Sequence, residues 1–340
     1  MAKVLVLGAH GNAARNYAKC LKMGGHIVYG ADIDTDFFRP TPDCYSGKIK
    51  WIPEFKAGTV YERADEILSF VESNGIEFIH PQPEEEVEFL YQIMSLEEWY
   101  PRFAPYVWPL KPSKITFDNK YWTVRNYVES KHPDGDEPIY VSDRYHMELL
   151  SGKKIWARQI YGAGSKGSQI VWDIEQYVQS DLPETPDMMY TEFLPGPEFS
   201  VHTFWIDGQL VHSQGRERVE YMCPNENTGQ SSSASVADTI LQGHEAYDVA
   251  NETILASEEK PDGIYNVDMR ASESGEIFPT EVNYGRYNTT MDFFAELGVN
   301  TPSMQVDYWT KNLINVQNQV VGPGWRWYRV IDDAPTLVRV

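Results

Sequence analysis

The stretch GIYNVDMRASESGEIFPTEVNYGR, residues 263–286, has the pattern of a β-hairpin with polar groups on one face. Two runs of alternating residues flank the turn sequence SESG. Because successive side chains of a strand point to opposite faces, each run places its polar residues together. The residues that share these faces are Asn266, Asp268 and Arg270 on the first strand, and Ile277, Pro279, Glu281 and Asn283 on the second.

The two carboxylates of the hairpin are predicted to lie near each other. If Ala271 pairs with Glu276 across the turn, Asp268 lies opposite Pro279 and diagonal to Glu281, at about 7–8 Å. A metal ion can bridge that separation, and hard oxygen donors favour Mg²⁺ or Mn²⁺ over zinc. The candidate metal ligands are Asp268, Glu281 and Asn283. The alternative is a pair of exposed edge strands whose polar face meets water.

A magnesium site with few protein ligands implies a phosphate-bearing ligand, because phosphate oxygens usually complete its coordination. The loop GAGSKG, residues 162–167, offers glycine backbone that can approach phosphates closely. Its lysine precedes the last glycine instead of following it, which disfavours a P-loop NTPase. A plain hairpin turn is the alternative for this loop taken alone. Candidate cations for the phosphates are Lys120, Arg158, Lys166 and Arg286.

The N-terminal part has the pattern of a doubly wound α/β domain. VLVLGAHGNAARNYAKCLKMGGHIVYGADID reads as a strand, a glycine turn, an amphipathic helix, a Gly-Gly stop and a second strand that ends at Asp32. A helix over 61–73, a strand over 76–80 and an acidic helix over 84–94 continue the alternation. We therefore predict one domain over 1–112, bounded by the proline-rich segment RFAPYVWPLKPSK.

The remainder, residues 113–340, is predicted to be α+β. FDNKYWTVRNYVES reads as a helix, and the glycine loop lies between two short strands. Antiparallel strands follow in MYTEFLPGPEFSVHTFWIDGQLVHSQGR, with turns at Pro195-Gly196 and Asp207-Gly208. A long helix is predicted from about Asp238 to Ser257, before the opening hairpin.

Composition excludes several classes of protein. The 340 residues include 50 acidic and 29 basic side chains, a net charge of −21, which argues against a nucleic-acid partner. No apolar run reaches the roughly 18 residues that span a bilayer, and the start is strand-like, so we expect a cytoplasmic protein without a membrane partner. The three cysteines, Cys20, Cys44 and Cys223, are far apart and predict neither disulfides nor structural zinc.

In this order the motifs resemble those of the ATP-grasp family, in the branch of biotin carboxylase and of one half of the carbamoyl-phosphate synthetase large subunit. FIHPQPEEEVEF is similar to the third strand and acidic segment of that family's N-terminal domain. DNK at 118–120 and IWARQIYGAGSKGSQIV are similar to its phosphate-binding segments. YTEFLPGPEFSV is similar to the hinge pattern E-x-h-x-G-x-E, and NVDM with TEVNYGR to the metal-binding end, usually E-h-N-P-R.

The resemblance implies a Rossmann-like pre-ATP-grasp domain, then an ATP-grasp fold with a small lid subdomain at about 121–190. It implies an ADP-forming carboxylate-amine ligase that uses ATP and two Mg²⁺ ions, and it allows a homodimer. Its implied ATP contacts are Lys120, Arg158, the lid loop (Gly162, Gly164, Ser165, Lys166 and Gly167), the hinge (Glu192, Phe193 and Leu194) and, for the ribose, Glu198. Its implied catalytic residues are Arg286, Arg158 and Lys166, and its implied substrate contacts are Arg216, Arg218 and Arg286.

Three departures from the family pattern stand out. Arg158 replaces a more common lysine, and Asp268 stands where relatives often have Glu or Gln. Tyr284-Gly285 adds one residue before Arg286 compared with E-h-N-P-R, so this arginine stands one residue further from Asn283 than the pattern has it.

Two other functions compete with the ligase. Gly8, Gly11 and Ala14 between a strand and a helix, with Asp32 after the second strand, are similar to the fingerprint of an NAD(P)-dependent oxidoreductase. The second is a catalytically silent nucleotide-binding protein of the same fold. It is disfavoured because the clustered charges cost stability unless a metal or phosphate compensates them.

Overall fold

A computed structural model gives the architecture of the chain. None of the helices in the part that it describes is long and apolar enough to cross a membrane. The described residues are 1–33, 41–133, 141–142, 150, 152–162, 168–172, 187–222, 224, 233–313, 321–329 and 336–339.

Four parallel strands form the N-terminal sheet, in the order β3-β2-β1-β4. Gly8 ends β1 with a φ of +69°, a left-handed conformation that favours glycine, and Gly11 precedes the first helix. That helix buries Ala14, Tyr17, Ala18 and Leu21, the spacing of one helical face. The elements are β1 (Lys3–Leu7), α1 (Asn12–Met23), β2 (Ile27–Ile33), β3 (Lys50–Ile52), α2 (Val60–Asn74), β4 (Phe78–Pro81), α3 (Glu84–Met94) and α4 (Tyr100–Phe103).

A four-stranded antiparallel sheet with the order β5-β8-β6-β7 follows two helices. Asn119 caps the second of these helices, because its side chain accepts from the backbone N–H of Trp122 at 3.0 Å. The elements are α5 (Lys114–Asp118), α6 (Lys120–Lys131), β5 (Val141–Ser142), β6 (Ile155–Gln159), β7 (Gln169–Val171) and β8 (Met188–Glu192).

The largest sheet has seven antiparallel strands in the order β13-β12-β9-β10-β11-β14-β15. Asp207 and Gly208 both have positive φ, 53° and 85°, as a two-residue hairpin turn between β9 and β10 requires. The elements are β9 (Glu198–Ile206), β10 (Gln209–Tyr221), β11 (Ala234–Thr239), α7 (Glu245–Ser257), β12 (Gly263–Ala271), β13 (Ile277–Tyr284), α8 (Met291–Glu296), α9 (Thr301–Lys311), β14 (Trp325–Tyr328) and β15 (Thr336–Arg339).

The predicted long helix from Asp238 was wrong at its start. Residues from Ala234 to Thr239 form β11, which pairs with β10 and β14, and the helix begins only at Glu245. Gly243 between them has a φ of +87°, outside the helical range. The strand is stabilised by partners distant in sequence, which local periodicity does not reveal.

The predicted register of the opening hairpin was also wrong. Ala271 pairs with Ile277, and Thr280 is an extra residue between the pairs Met269–Pro279 and Asp268–Glu281. The pairing at the turn and this β-bulge each shift the second strand by one residue, so the two carboxylates stand directly opposite each other and not diagonally. Asp268 and Glu281 are therefore closer together than the sequence predicts.

Candidate active site

A cavity of about 500 Å³ lies over one face of the seven-stranded sheet. Ala13 and Glu84 of the N-terminal part contribute to its wall, and Trp156 and Phe193 contribute from the region of the four-stranded sheet. Every predicted site residue that the structure describes lines it. These residues are Lys120, Arg158, Gly162, Glu192, Phe193, Leu194, Glu198, Arg216, Arg218, Asp268, Glu281, Asn283 and Arg286.

Part of the predicted lid loop lies outside the described residues, namely Gly164, Ser165, Lys166 and Gly167. Its first glycine, Gly162, has a φ of +106° and accepts a hydrogen bond at its carbonyl from Nζ of Lys120, at 2.6 Å. The base of the loop therefore contacts the start of α6.

The floor of the cavity consists of cross-strand rows of polar side chains on β12, β9 and β10. Antiparallel pairing aligns these rows, since each residue of β9 has one partner on either side. The rows are Arg270–Glu198–Arg218, Asp268–Ser200–Arg216 and Asn266–His202–Gln214. Register alone thus gathers acids, amides and arginines from distant parts of the sequence.

The candidate metal ligands lie at the edge of this floor, on the hairpin. Burial raises the pKa of Asp268, and the negative charge of Glu281 adds to that rise. Burial alone would also raise the pKa of Glu281, but the positive charges of Lys120 and Arg158 outweigh it and lower that pKa. The pair thus combines one readily ionised carboxylate with one that a cation would help to ionise.

The donor set fits a hard divalent cation that keeps other oxygen ligands. No cluster of three or more His, Cys, Asp or Glu side chains is found in the described ranges. The hairpin instead offers two carboxylates and the amide of Asn283, which are oxygen donors of the kind that Mg²⁺ accepts. An ion held here would therefore need further oxygens, from water or from a phosphate.

Two cations lie beside the hairpin that carries the carboxylates. Nζ of Lys120 is 3.8 Å from Oε2 of Glu281, and Arg158 donates from Nη2 to the carbonyl oxygen of Thr280. The bulge thus presents a backbone acceptor to the arginine. Burial lowers the pKa of Lys120 and of Arg158, against the opposing effect of Glu281. A negatively charged ligand in the cavity would therefore stabilise the charged forms of both side chains.

The hinge region has a backbone donor that meets no acceptor in the described part of the chain. The N–H of Phe193 already donates to the carbonyl of Lys154 at 2.8 Å, and Glu192 pairs with Ile155 on β6. Within the described residues, no carbonyl or side chain accepts from the N–H of Leu194. Of the three predicted hinge residues, Leu194 therefore has the N–H that is left for a ligand.

Glu198 contacts several polar groups. Its Oε1 is 2.6 Å from Nη1 of Arg218, and its Oε2 accepts from the hydroxyl of Tyr221 and lies 4.0 Å from Nη1 of Arg270. Arg218 also approaches Oδ1 of Asp268 at 3.5 Å. The predicted ribose acceptor and one predicted substrate arginine thus form an ion pair with each other.

Arg216 differs from its neighbour on β10. Only 1% of its surface is exposed, and its Nε and Nη1 atoms have no hydrogen-bond partner among the residues that the structure describes. Burial, with the charge of Arg218, lowers the pKa of Arg216 to about 9. A buried guanidinium with two nitrogens that lack a partner among the described residues, on the wall of a cavity, is suited to an anionic ligand.

Several lining residues were missed as site residues by the sequence patterns. Asn266 stands on the same face as Asp268, and its Nδ2 donates to Oδ1 of that carboxylate at 3.3 Å. Asn288 donates in turn to Oδ1 of Asn266 at 2.8 Å. The alternation of the hairpin could have identified Asn266, whereas Asn288 and Thr289 follow the last motif without a pattern of their own.

The acid of the dinucleotide fingerprint is already used by the protein. Oδ2 of Asp32 accepts from the backbone N–H of His10 at 2.8 Å and lies 3.0 Å from Nδ1 of the same residue. Its other oxygen accepts from the N–H of Ile33. An oxidoreductase of this fold needs that carboxylate for the ribose, so these contacts disfavour the NAD(P) alternative.

No protein-family model matches the chain, and no curated protein matches it either. Solved structures do match over nearly its whole length. An L-amino acid ligase from Bacillus licheniformis has a TM-score of 0.68 and 12% identity, covering 96% of this chain and 79% of its own. A biotin carboxylase from Campylobacter jejuni has a TM-score of 0.66 and 13% identity, covering 96% and 75%.

A third similar structure is N5-carboxyaminoimidazole synthetase from Staphylococcus aureus in complex with ADP. It has a TM-score of 0.66 and 13% identity, and it covers 97% of this chain and 82% of its own. At these identities the likeness concerns the fold. The chain therefore has the ATP-grasp fold, that of the family its motifs resemble.

Proposed function

We propose that the protein is an ATP-dependent ligase that activates a carboxylate as an acyl phosphate for attack by an amine or a similar nucleophile. One observation carries the proposal: the oxygen ligands on β12 and β13 and the cations Lys120, Arg158 and Arg286 line the same cavity. Phosphoryl transfer asks the protein for charge and positioning more than for covalent chemistry, which suits a site of this kind.

Each part of the molecule has a place in this proposal. Residues 1–112 would be the pre-ATP-grasp domain and 113–340 the ATP-grasp domain, with a lid at about 121–190. The adenine would meet the N–H of Leu194, and Lys120 and Arg158 would hold the phosphates. The lid loop, with Lys166, would close over them. Glu198 would reach the ribose with the acceptor capacity that its contacts with Arg218 and Tyr221 leave.

Asp268, Glu281 and Asn283 would hold Mg²⁺ or Mn²⁺, two ions by the family resemblance. When bound, such ions neutralise the phosphate charge that develops during transfer. Lys120 and Arg158 would add their positive charges to this effect, since both already stabilise the negative charge of Glu281. Arg286, on the loop after β13, would stabilise the phosphoryl group in transit.

The reaction balances in two steps. A carboxylate oxygen of the substrate forms a bond to the γ-phosphorus of ATP, the bond from that phosphorus to the β,γ-bridging oxygen breaks, and ADP leaves. The amine nitrogen then bonds to the acyl carbon, inorganic phosphate leaves with the electrons of the C–O bond, and the amine loses a proton.

We propose that Arg216 binds the carboxylate of the substrate. Its buried guanidinium has unpartnered N–H groups, whereas Arg218 is paired with Glu198 and Asp268. A planar guanidinium suits a carboxylate because it can donate two parallel hydrogen bonds. Arg218 would then act on the substrate mainly by fixing the acids next to it.

The test is a screen of ADP release from Mg-ATP with pools of amino acids and small carboxylates. Release that requires both a carboxylate and an amine supports the ligase. Absence of release from every pool, together with nucleotide binding, would favour a silent binding protein. Tight binding of NADH without binding of Mg-ATP would favour the oxidoreductase.

A further inference from the structure

The residue that the chain adds before Arg286 has a defined structural role. Gly285 has a φ of +73°, a left-handed conformation, and its N–H donates to the carbonyl of Ile264 at 2.8 Å. A Cβ built on it would lie 3.1 Å from Leu110 and 3.3 Å from Val87, the latter on α3. The backbone at Gly285 therefore packs closely against the N-terminal part of the molecule.

This packing brings the next residue to the first turn of α3. Nη2 of Arg286 lies 3.7 Å from Oε2 of Glu84, the first residue of that helix. The same Nη2 donates to Oδ1 of Asn283. The guanidinium is thus held between a candidate metal ligand of the hairpin and a carboxylate from the N-terminal part.

Glu84 lines the cavity, and its side chain is 29% exposed. Its negative charge also acts on Lys120, which Arg158 and Arg286 repel. Three cations, Lys120, Arg158 and Arg286, therefore lie close to one another, and Glu84 and Glu281 are the acids that act on Lys120. A carboxylate at position 84 reduces their repulsion and gives the Arg286 side chain, which has several rotatable bonds, a preferred direction.

We propose that Glu84 is a positioning residue, which sets the direction of the Arg286 guanidinium toward the γ-phosphoryl group. The proposal rests on the proposed function, because it takes the ligand of the cavity to be a nucleoside triphosphate. Glu84 acts through Arg286 and does not itself touch the phosphate.

The experiment compares binding of a non-hydrolysable ATP analogue with binding of ADP, both with Mg²⁺, by titration calorimetry. The ratio of the two affinities reports contacts with the γ-phosphate and does not require turnover. The variants are Glu84→Gln, Arg286→Gln and the double variant. Glu85→Gln is the matched control, since it removes the same charge from the same helix turn at an exposed position outside the cavity.

We expect Glu84→Gln to lower the affinity ratio roughly tenfold, the scale of the loss when a group that orients a ligand-binding side chain is removed. Arg286→Gln should lower it at least as much, and the double variant should be no worse than Arg286→Gln alone. Thermal midpoints should stay within a few degrees of the wild type. In turnover, Glu84→Gln should lower kcat and raise KM for ATP in step with the weaker triphosphate binding, while leaving KM for the carboxylate nearly unchanged.

The positioning role would be overturned by an unchanged ratio in Glu84→Gln, or by losses of Glu84→Gln and Arg286→Gln that simply add. A fall of equal size in Glu85→Gln would have the same consequence. The proposed function can fail separately. If the wild type binds both nucleotides but no pool elicits ADP release, the ligase assignment fails while the affinity ratio still decides the role of Glu84.

Discussion

Arg216 and Arg218 lie two residues apart on one face of β10, but they differ in their ion pairs. Arg218 pairs with Glu198 and Asp268, whereas no carboxylate of the described residues forms an ion pair with Arg216. In the row of Arg216 the neighbour on β9 is Ser200, whereas in the row of Arg218 it is Glu198. Burial without a partner costs a charged group several kcal/mol, so a protein retains such a residue at a cost in stability. An anionic ligand on Arg216 would offset that cost.

Arg216→Met should therefore stabilise the empty protein. We expect the free energy of unfolding to rise by roughly 1–4 kcal/mol, because an apolar side chain of similar length replaces a buried charge that Asp268 and Glu198 only partly offset. Urea denaturation of the unliganded protein measures this change. Carboxylate-dependent ADP release should fall at least tenfold.

Arg218→Met is the matched control on the same strand face. It leaves Asp268 without its nearest arginine and Glu198 with the more distant Arg270, 4.0 Å away, so unfolding should become easier by roughly 3–5 kcal/mol. Equal destabilisation by the two substitutions would contradict the assignment of Arg216 as the unpaired arginine.

Glu281→Ala and Asn283→Ala should abolish metal-dependent ATP turnover while leaving the fold intact. Both side chains are partly exposed to the cavity, so their loss removes ligands and not core packing. ADP release and circular dichroism measure the two effects. Glu276→Ala, in the exposed turn of the same hairpin, should leave the rate unchanged. A normal rate in either Glu281→Ala or Asn283→Ala would contradict the assignment of these side chains as metal ligands.

The order of elements around the site follows closely from sequence pattern, since glycine turns, amphipathic helices and alternating strands are local signals. The bulge at Thr280 does not, because it depends on how β12 and β13 pair. Likewise, Arg216 has no acidic neighbour on β9 because its partner there is Ser200, 16 positions earlier in the sequence. Motif spacing identified Arg286, whereas the packing of Gly285 on Val87 and Leu110, which brings Arg286 to Glu84, depends on contacts between distant segments.

Gly8→Ala should destabilise the protein more than Gly25→Ala. Both glycines have left-handed φ, +69° and +79°, so backbone strain affects both variants alike. A Cβ on Gly8 would lie 2.2 Å from Cγ of Pro83, whereas one on Gly25 meets nothing within 4 Å. We expect a further loss of about 1–3 kcal/mol for Gly8→Ala, from urea unfolding. Similar losses in both variants would mean that Pro83 moves away easily.

The protein should lose stability on acidification below about pH 6.5. Burial lowers the pKa of His80 to about 3 and that of His212 to about 4, so both remain neutral in the folded state. Their ordinary pKa is 6.5, and below it the unfolded chain takes up protons that the folded chain does not. The free energy of unfolding should therefore fall from pH 6.5 toward pH 4, by at most about 1.4 kcal/mol per pH unit for each histidine.

Urea unfolding at pH 7 and pH 5 tests this slope. His212→Gln should reduce the difference between the two pH values. Stability that is flat over this interval in the wild type would show that the buried histidines take up protons before unfolding.

Arg63 and Glu86 form an ion pair beneath the first turn of α3, with side chains only 1% and 7% exposed. Arg63 also donates to the carbonyl of Pro53 at 2.6 Å and stacks over Phe89 at 4.9 Å. Burial raises the pKa of Glu86, and the charge of Arg63 opposes that rise. Arg63→Met leaves this acid buried without its partner, which should cost roughly 3–5 kcal/mol of unfolding free energy.

The double variant Arg63→Met/Glu86→Leu removes both charges and should recover most of that loss, because apolar residues of similar size can replace a buried pair. The exposed pair Arg102–Asp65, with 43% and 62% exposed side chains, provides the comparison. Arg102→Met should cost no more than about 1 kcal/mol, since water already solvates both charges. If Arg63→Met costs no more than Arg102→Met, the acid at position 86 must become neutral or reach water, and the first turn of α3 must be less firmly held than its burial indicates.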